Sequence, residues 1–154
     1  MKVDVLIHPY FTETVRFSIE KRLPTAEEKT RKWYQAISEL GQEDWLIVTA
    51  SAAGDPTRRL TDALLQYARG RLGDRVVVYE SFIGDDIARD LGNPTPSEIV
   101  RIRGYGEVYG ACVTYTAEVR AQLDPQNKVK IEMPVDLSVS LVNMGDYSDI
   151  YNNK

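Results

Sequence analysis

A chain of 154 residues, 43% hydrophobic and 27% charged, is long enough for one domain with its own core and too evenly mixed for a disordered or fibrous protein. A net charge of −4 with scattered lysines and arginines argues against a nucleic-acid partner, and a single cysteine excludes an internal disulfide. No apolar run reaches the roughly 18 residues that span a bilayer, so the expectation is a cytoplasmic protein with no membrane partner.

Val3 to Ile7 reads as a short apolar strand that ends at His8-Pro9, since proline cannot continue a ladder. The opening MKVDVLI has a charge inside its apolar run and no small-residue cleavage site, so it reads as that strand and not as a signal peptide. Pro24-Thr25 with Glu28 has the form of a capping box, after which Trp33, Ala36, Ile37 and Leu40 share one helical face before Gly41. Trp45 to Ala50 is a second strand leading into SAAGD. Asp55-Pro56 then reads as an N-cap with proline at the first helical position, and Leu60, Leu64, Ala68 and Leu72 form the buried stripe of a helix closed by Gly73.

Arg75 to Ser81 is a β-branched strand, and Asp85 to Leu91 a short helix closed by Gly92. The strand Ile99 to Arg103 gives way to a turn containing Gly104, Gly106 and Gly110, and a helix follows to Leu123. Lys128 to Met133 is a fifth strand, and Leu137 to Val142 is a sixth or an edge that pairs with another subunit. Strands alternating with helices predict an α/β three-layer, doubly wound, mostly parallel sheet of five or six strands, Rossmann-like, as one domain over 1–142. Residues 143–154 form a polar tail, either disordered or wrapped on a partner in a homodimer or higher homo-oligomer, with Tyr147, Ile150 and Tyr151 as anchors.

In such sheets the loops after the strands gather on one edge and bind the ligand. That edge collects His8 and Tyr10 after the first strand, Ser51 to Asp55 after the second, Glu80 to Phe82 after the third, and the run to Cys112 after the fourth. Cys112 falls in the first turn of its helix, where unpaired N–H groups and the helix dipole favour a thiolate. The only cysteine and the only histidine of the chain thus meet on one edge, with Glu80 as a carboxylate to orient the imidazole: a nucleophile, a base and an orienter. The competing reading is a small buried cysteine, a strand-end histidine and a solvated glutamate. Gly104, Gly106 and Gly110 also spell G-x-G-x-x-x-G between strand and helix, a weak signal for a nucleotide or another phosphate, against which stands a plain tight turn. Ser51 in SAAGD has the same two readings, an anion loop or ordinary turn chemistry, and Arg58 and Arg59 either assist an acidic ligand or are simply solvated.

Gly106, Cys112-Val113 and Thr116-Ala117 resemble the G-x5-C-V-x-x-T-A signature of the isochorismatase-like cysteine hydrolases, the nicotinamidase group, and the similarity extends over residues 79–140. The resemblance implies a cysteine nucleophile at Cys112 acting on an amide or similar C–N bond of a small-molecule substrate. It also implies oxyanion-binding or ligand-binding backbone from Gly106 through Tyr109, Gly110 and Ala111. The family's base, an aspartate after the first strand, is replaced by His8, because Asp4 lies too early in that strand. The family's lysine has no counterpart among Val78, Tyr79 and Glu80. The histidine-rich metal loop of nicotinamidases is missing as well, so neither a metal nor another cofactor is implied. Two readings follow: a divergent hydrolase using Cys112 with His8, or a non-catalytic relative that binds a small anionic ligand or nucleotide, or acts by self-assembly.

Overall fold

The computed structural model describes the backbone of residues 1–10, 26–106 and 109–138, and their side chains except at 26–28, 109–112 and 135. Five strands, β1 (Lys2–Ile7), β2 (Trp45–Ala50), β3 (Val76–Glu80), β4 (Arg101–Gly106) and β5 (Lys130–Glu132), form one sheet in the order β3-β2-β1-β4-β5. Every pairing is parallel. Helices α1 (Ala26–Ser38), α2 (Arg58–Leu72), α3 (Ile87–Asp90) and α4 (Tyr109–Leu123) supply the outer layers. None of the described helices is long and apolar enough to cross a membrane.

Strand periodicity sorts the core into two halves. Leu6, Leu46, Val48 and Tyr105 point to one face and pack with Trp33, Ile37, Leu64 and Leu72 of α1 and α2. Val3, Val5, Ile7, Ile47 and Ile102 point to the other and pack with Ile87, Val119 and Leu123 of α3 and α4. A sheet covered on both faces needs the near-continuous apolar strands seen in β1 and β2, and each such side chain contributes about 1.5–3 kcal/mol on burial. Trp33, fully buried, also donates its indole N–H to the carbonyl of Leu137 at 2.6 Å, pinning the turn at 135–137 to α1.

One charged cluster interrupts the apolar face under α1. Asp4, fully buried in β1, accepts two hydrogen bonds from Arg103 of β4, at 3.2 Å from Nε and 2.7 Å from Nη2, and a third from the Tyr105 hydroxyl at 2.8 Å. Arg101 stands 3.9 Å away on its other side and reaches Glu132 at 3.6 Å. The pairing register produces this directly, because Asp4 faces Arg103 across β1 and β4. Burial pushes the Asp4 carboxyl above its ordinary pKa despite the two guanidiniums, while Asp4 holds Arg103 firmly protonated.

Four local expectations are corrected. Gly104 and Gly106 lie in β4 and are not a turn. A Cβ on Gly104 would come 1.7 Å from Thr116 Oγ1 of α4, and one on Gly106 would come 2.1 Å from the Ile7 carbonyl oxygen. The glycines therefore let helix and strand close on β4, and the phosphate-cradle reading of G-x-G-x-x-x-G fails because its first two members are paired strand. Helix α2 begins at Arg58 with Thr57 before it; Asp55 instead accepts from the Thr57 N–H at 3.0 Å in the preceding turn. The fifth strand is only Lys130–Glu132. Leu137, expected in a sixth strand, lies in a 3-10 turn with its side chain in the core. The remainder of that expected strand, the tail, and Pro24-Thr25 lie outside the described residues.

Candidate functional site at the carboxyl edge

Strand order reverses between β1 and β4: the chain winds outward from β1 to β3, then returns to the other side of β1. Parallel sheets open a crevice at such a switch point, at the carboxyl ends of the two strands. Those ends are paired, Ile7 against Gly106, so the residues that follow each are neighbours.

The chain leaves β1 by a sharp turn at His8. Its N–H still donates to the Thr49 carbonyl at 2.9 Å and to Thr49 Oγ1 at 3.1 Å, but its φ is +45°. Residues before proline are held extended, so a left-handed residue ahead of Pro9 is strained, at a cost of about 1–3 kcal/mol. The start of α2 clamps the turn in place: Thr61 Oγ1 donates to the Pro9 carbonyl at 3.1 Å and Thr57 Oγ1 donates to the Tyr10 carbonyl. Tyr10 and Ser81 also have positive φ, +60° and +66°. Three strained non-glycine residues thus stand immediately after β1 and β3, where strain of this kind accompanies ligand sites.

The His8 ring packs edge-on against Tyr115 of α4, with centroids 5.4 Å apart and planes at 78°. Its Nε2 lies 3.5 Å from the Tyr115 hydroxyl, which donates to the Ser81 carbonyl at 3.2 Å. With that hydroxyl's proton directed at Ser81, the 3.5 Å contact fits an Nε2–H donor, and Nδ1 is buried. Burial lowers the His8 pKa, so the imidazole is neutral at pH 7; burial and then Glu118 raise that of Tyr115, so its hydroxyl keeps its proton. Tyr115 therefore links the ends of β1 and β3 through one hydroxyl. Position 112 lies three residues before it in the first turn of α4.

The other expected site residues separate. Glu80 ends β3, exposed, with β2 between it and β1; two strand spacings, roughly 9–10 Å, part it from His8's strand, and among the described residues its side chain has no partner. Tyr115 occupies the position expected of an orienter. The Tyr10 ring belongs to the core, stacked edge-on against Trp33 with its hydroxyl accepting from Thr30 at 2.8 Å. Ser51 is buried just after β2, and among the described residues its Oγ has no hydrogen-bond partner. Its carbonyl accepts from Arg58 Nη1 at 2.5 Å, and Arg58 is further held by Asp62 at 2.9 Å. Gly106 donates its N–H to Ser138 Oγ at 3.3 Å, and Tyr109, Gly110, Ala111 and Cys112 form the first turn of α4, where backbone N–H groups have no partner within the helix. Phe82, next to Ser81, is 72% exposed, an aromatic ring open to solvent on this edge. Among the described residues, no group of three or more His, Cys, Asp and Glu side chains could hold a metal.

Sequence reasoning missed Tyr115. The available signal was its spacing of three from Cys112 on one helix, which puts both positions on neighbouring parts of a helical surface. In comparisons with known proteins, the chain matches no family model, no curated protein and no solved structure.

Proposed function

We propose that the chain is a small-molecule hydrolase that cleaves an amide or similar C–N bond at the switch point, with Cys112 as nucleophile and His8 as base. The observation that carries this reading is a neutral, strained histidine at the end of β1, fixed by Tyr115 beside the helix whose first turn contains Cys112. The Cys112 thiol gives its proton to the His8 imidazole as sulfur bonds to the carbonyl carbon. The orphan N–H groups of the first α4 turn receive the oxyanion, and the leaving nitrogen takes the proton back from His8 as the C–N bond breaks. Water, deprotonated by the same imidazole, then hydrolyses the thioester and restores the thiol.

The resemblance of Gly106, Cys112-Val113 and Thr116-Ala117 to the isochorismatase-like hydrolases supports the same assignment of roles. Asp4 is committed to Arg103 and Tyr105 and is unavailable as the base, so His8 takes that role. The test is the pH dependence of Cys112 alkylation by iodoacetamide in the native protein and in His8→Ala, run beside amine release from a panel of primary amides. An apparent pKa near or below 7 that rises in His8→Ala, with amine release abolished in Cys112→Ser, is expected. Slow alkylation indifferent to His8, with no amine release, would overturn the hydrolase and leave a binding domain for a small anionic ligand.

A further inference from the structure

A second polar feature lies away from this edge, beside the middle of β4 and under α1. A cavity of about 360 Å³ is bounded by Lys32, Gln35, Ala36 and Glu39 of α1, Arg103 of β4, and Pro134, Asp136 and Leu137 of the turn that follows β5. Its size falls at the small end of the range for metabolite sites. Two cations and two carboxylates line it, so the wall is close to neutral and carries both signs.

The charges are arranged by depth. Arg103 forms the floor: it is 7% exposed and rigidly held, with Nε and Nη2 both bound to the buried Asp4. Among the described residues Nη1 is the guanidinium nitrogen with no partner, and it is not among the buried unsatisfied atoms. Lys32, Glu39 and Asp136 are exposed and stand at the mouth, where Lys32 Nζ rests 3.4 Å from the Asp136 carbonyl. A buried arginine oriented by a buried carboxylate, with one donor still free, is preorganised to receive an anionic oxygen. A dianion such as phosphate is disfavoured, because Asp4 already compensates Arg103 and two further carboxylates flank the approach.

We propose that this cavity binds a small zwitterion of the amino-acid class, its carboxylate on Arg103 Nη1 and Lys32 and its ammonium group at Glu39 and Asp136. The apolar walls supplied by Ala36, Pro134 and Leu137 suit the short carbon chain between the two charges.

Titration calorimetry of the intact protein tests the assignment with α-alanine and ω-amino acids of two to six carbons. Acetate and propylamine serve as single-charge controls, and inorganic phosphate as the dianion. At least one zwitterion is expected to bind saturably and at least tenfold more tightly than either control. Glu39→Gln and Lys32→Gln, both at exposed positions, are expected to leave the thermal midpoint of the free protein unchanged and each to weaken zwitterion binding about tenfold. Absence of saturable binding by every zwitterion, tighter binding of phosphate, or affinity unchanged in both variants would overturn the proposal. Because neither variant touches His8, Tyr115 or Cys112, alkylation of Cys112 in them tracks wild type whichever way the binding experiment falls.

Discussion

Asp4 stands in the middle of β1 and His8, four residues on, immediately after its end, and the protein treats them in opposite ways. Asp4 lies in mid-strand, wholly buried, with its hydrogen-bonding capacity used by Arg103 and Tyr105. His8 lies where the strand ends, half-buried, with a backbone conformation that an ordinary side chain avoids. A satisfied charge fixes register, since sliding β1 by one residue would remove Asp4 from Arg103 and carry it to the opposite face. A strained residue at a strand end does the reverse: the fold bears a cost to hold a side chain at the carboxyl edge of the sheet, against Tyr115. The contrast teaches that burial with full satisfaction marks the scaffold, and burial with strain marks the place where chemistry is proposed.

The largest effect belongs to the scaffold side. Arg103→Ala strips the buried Asp4 of its two guanidinium hydrogen bonds, leaving only Arg101 at 3.9 Å and the Tyr105 hydroxyl, and is expected to cost about 3 kcal/mol, read as a lowered urea midpoint; His8→Ala should cost far less, and equal losses would break the contrast. Next comes Gly104→Ala, which forces α4 away from β4 and should cost about 1–3 kcal/mol. Adding Thr116→Ala removes the 1.7 Å contact but keeps Thr116 Cβ at 2.8 Å, so denaturation of the double variant should show partial rescue. Ser81→Gly relieves a left-handed side chain and should raise stability by about 1 kcal/mol, while loosening the loop that receives the Tyr115 hydroxyl and slowing Cys112 alkylation.

The smallest effect is in pH dependence, and here the two residues carry opposite signs. Burial lowers the His8 pKa below 6.5, so just under that pH the unfolded chain binds more protons than the folded one and stability falls as pH falls. Burial raises the Asp4 pKa above 3.8, so its contribution is present at low pH and lost as pH rises. His8 is the only histidine, and His8→Gln should therefore flatten the urea midpoint against pH between about 5 and 7, where an unchanged slope would place its proton uptake elsewhere.

The layered fold was legible because each apolar run or helical stripe, such as Trp45 to Ala50 or Leu64 to Leu72, states its own period and its own stop. The edge was legible for the same reason: once strands alternate with helices, the residues after each strand share a side. What sequence could not resolve was contact between elements. Gly104 and Gly106 read as a turn because glycine breaks local patterns, whereas their reason is the approach of Thr116 and Ile7 from distant parts of the chain. Glu80 and Tyr115 were exchanged as partners of His8 for a similar cause, since strand order, and not sequence order, decides who reaches β1. The Asp4–Arg103 pair left only a faint trace, a charge in each of two apolar strands, with nothing in the sequence to set them in register.

The contact of Gly104 with Thr116 also determines which parts of the crevice can adjust. With no side chain between them, α4 and β4 are locked at that point, so the helix turn bearing Cys112 cannot slide along the sheet without distorting the strand below it. For the proposed hydrolase, accommodation of different substrate shapes then falls to the exposed loop at 52–56, because Gln122 of α4 also holds the 82–86 segment through the Gly84 carbonyl at 2.8 Å and Ile83 is buried in the core. The edge thus has a fixed side built on α4, β4 and the segment after β3, and one yielding loop after β2, where substitutions that retune the proposed activity without loss of fold belong.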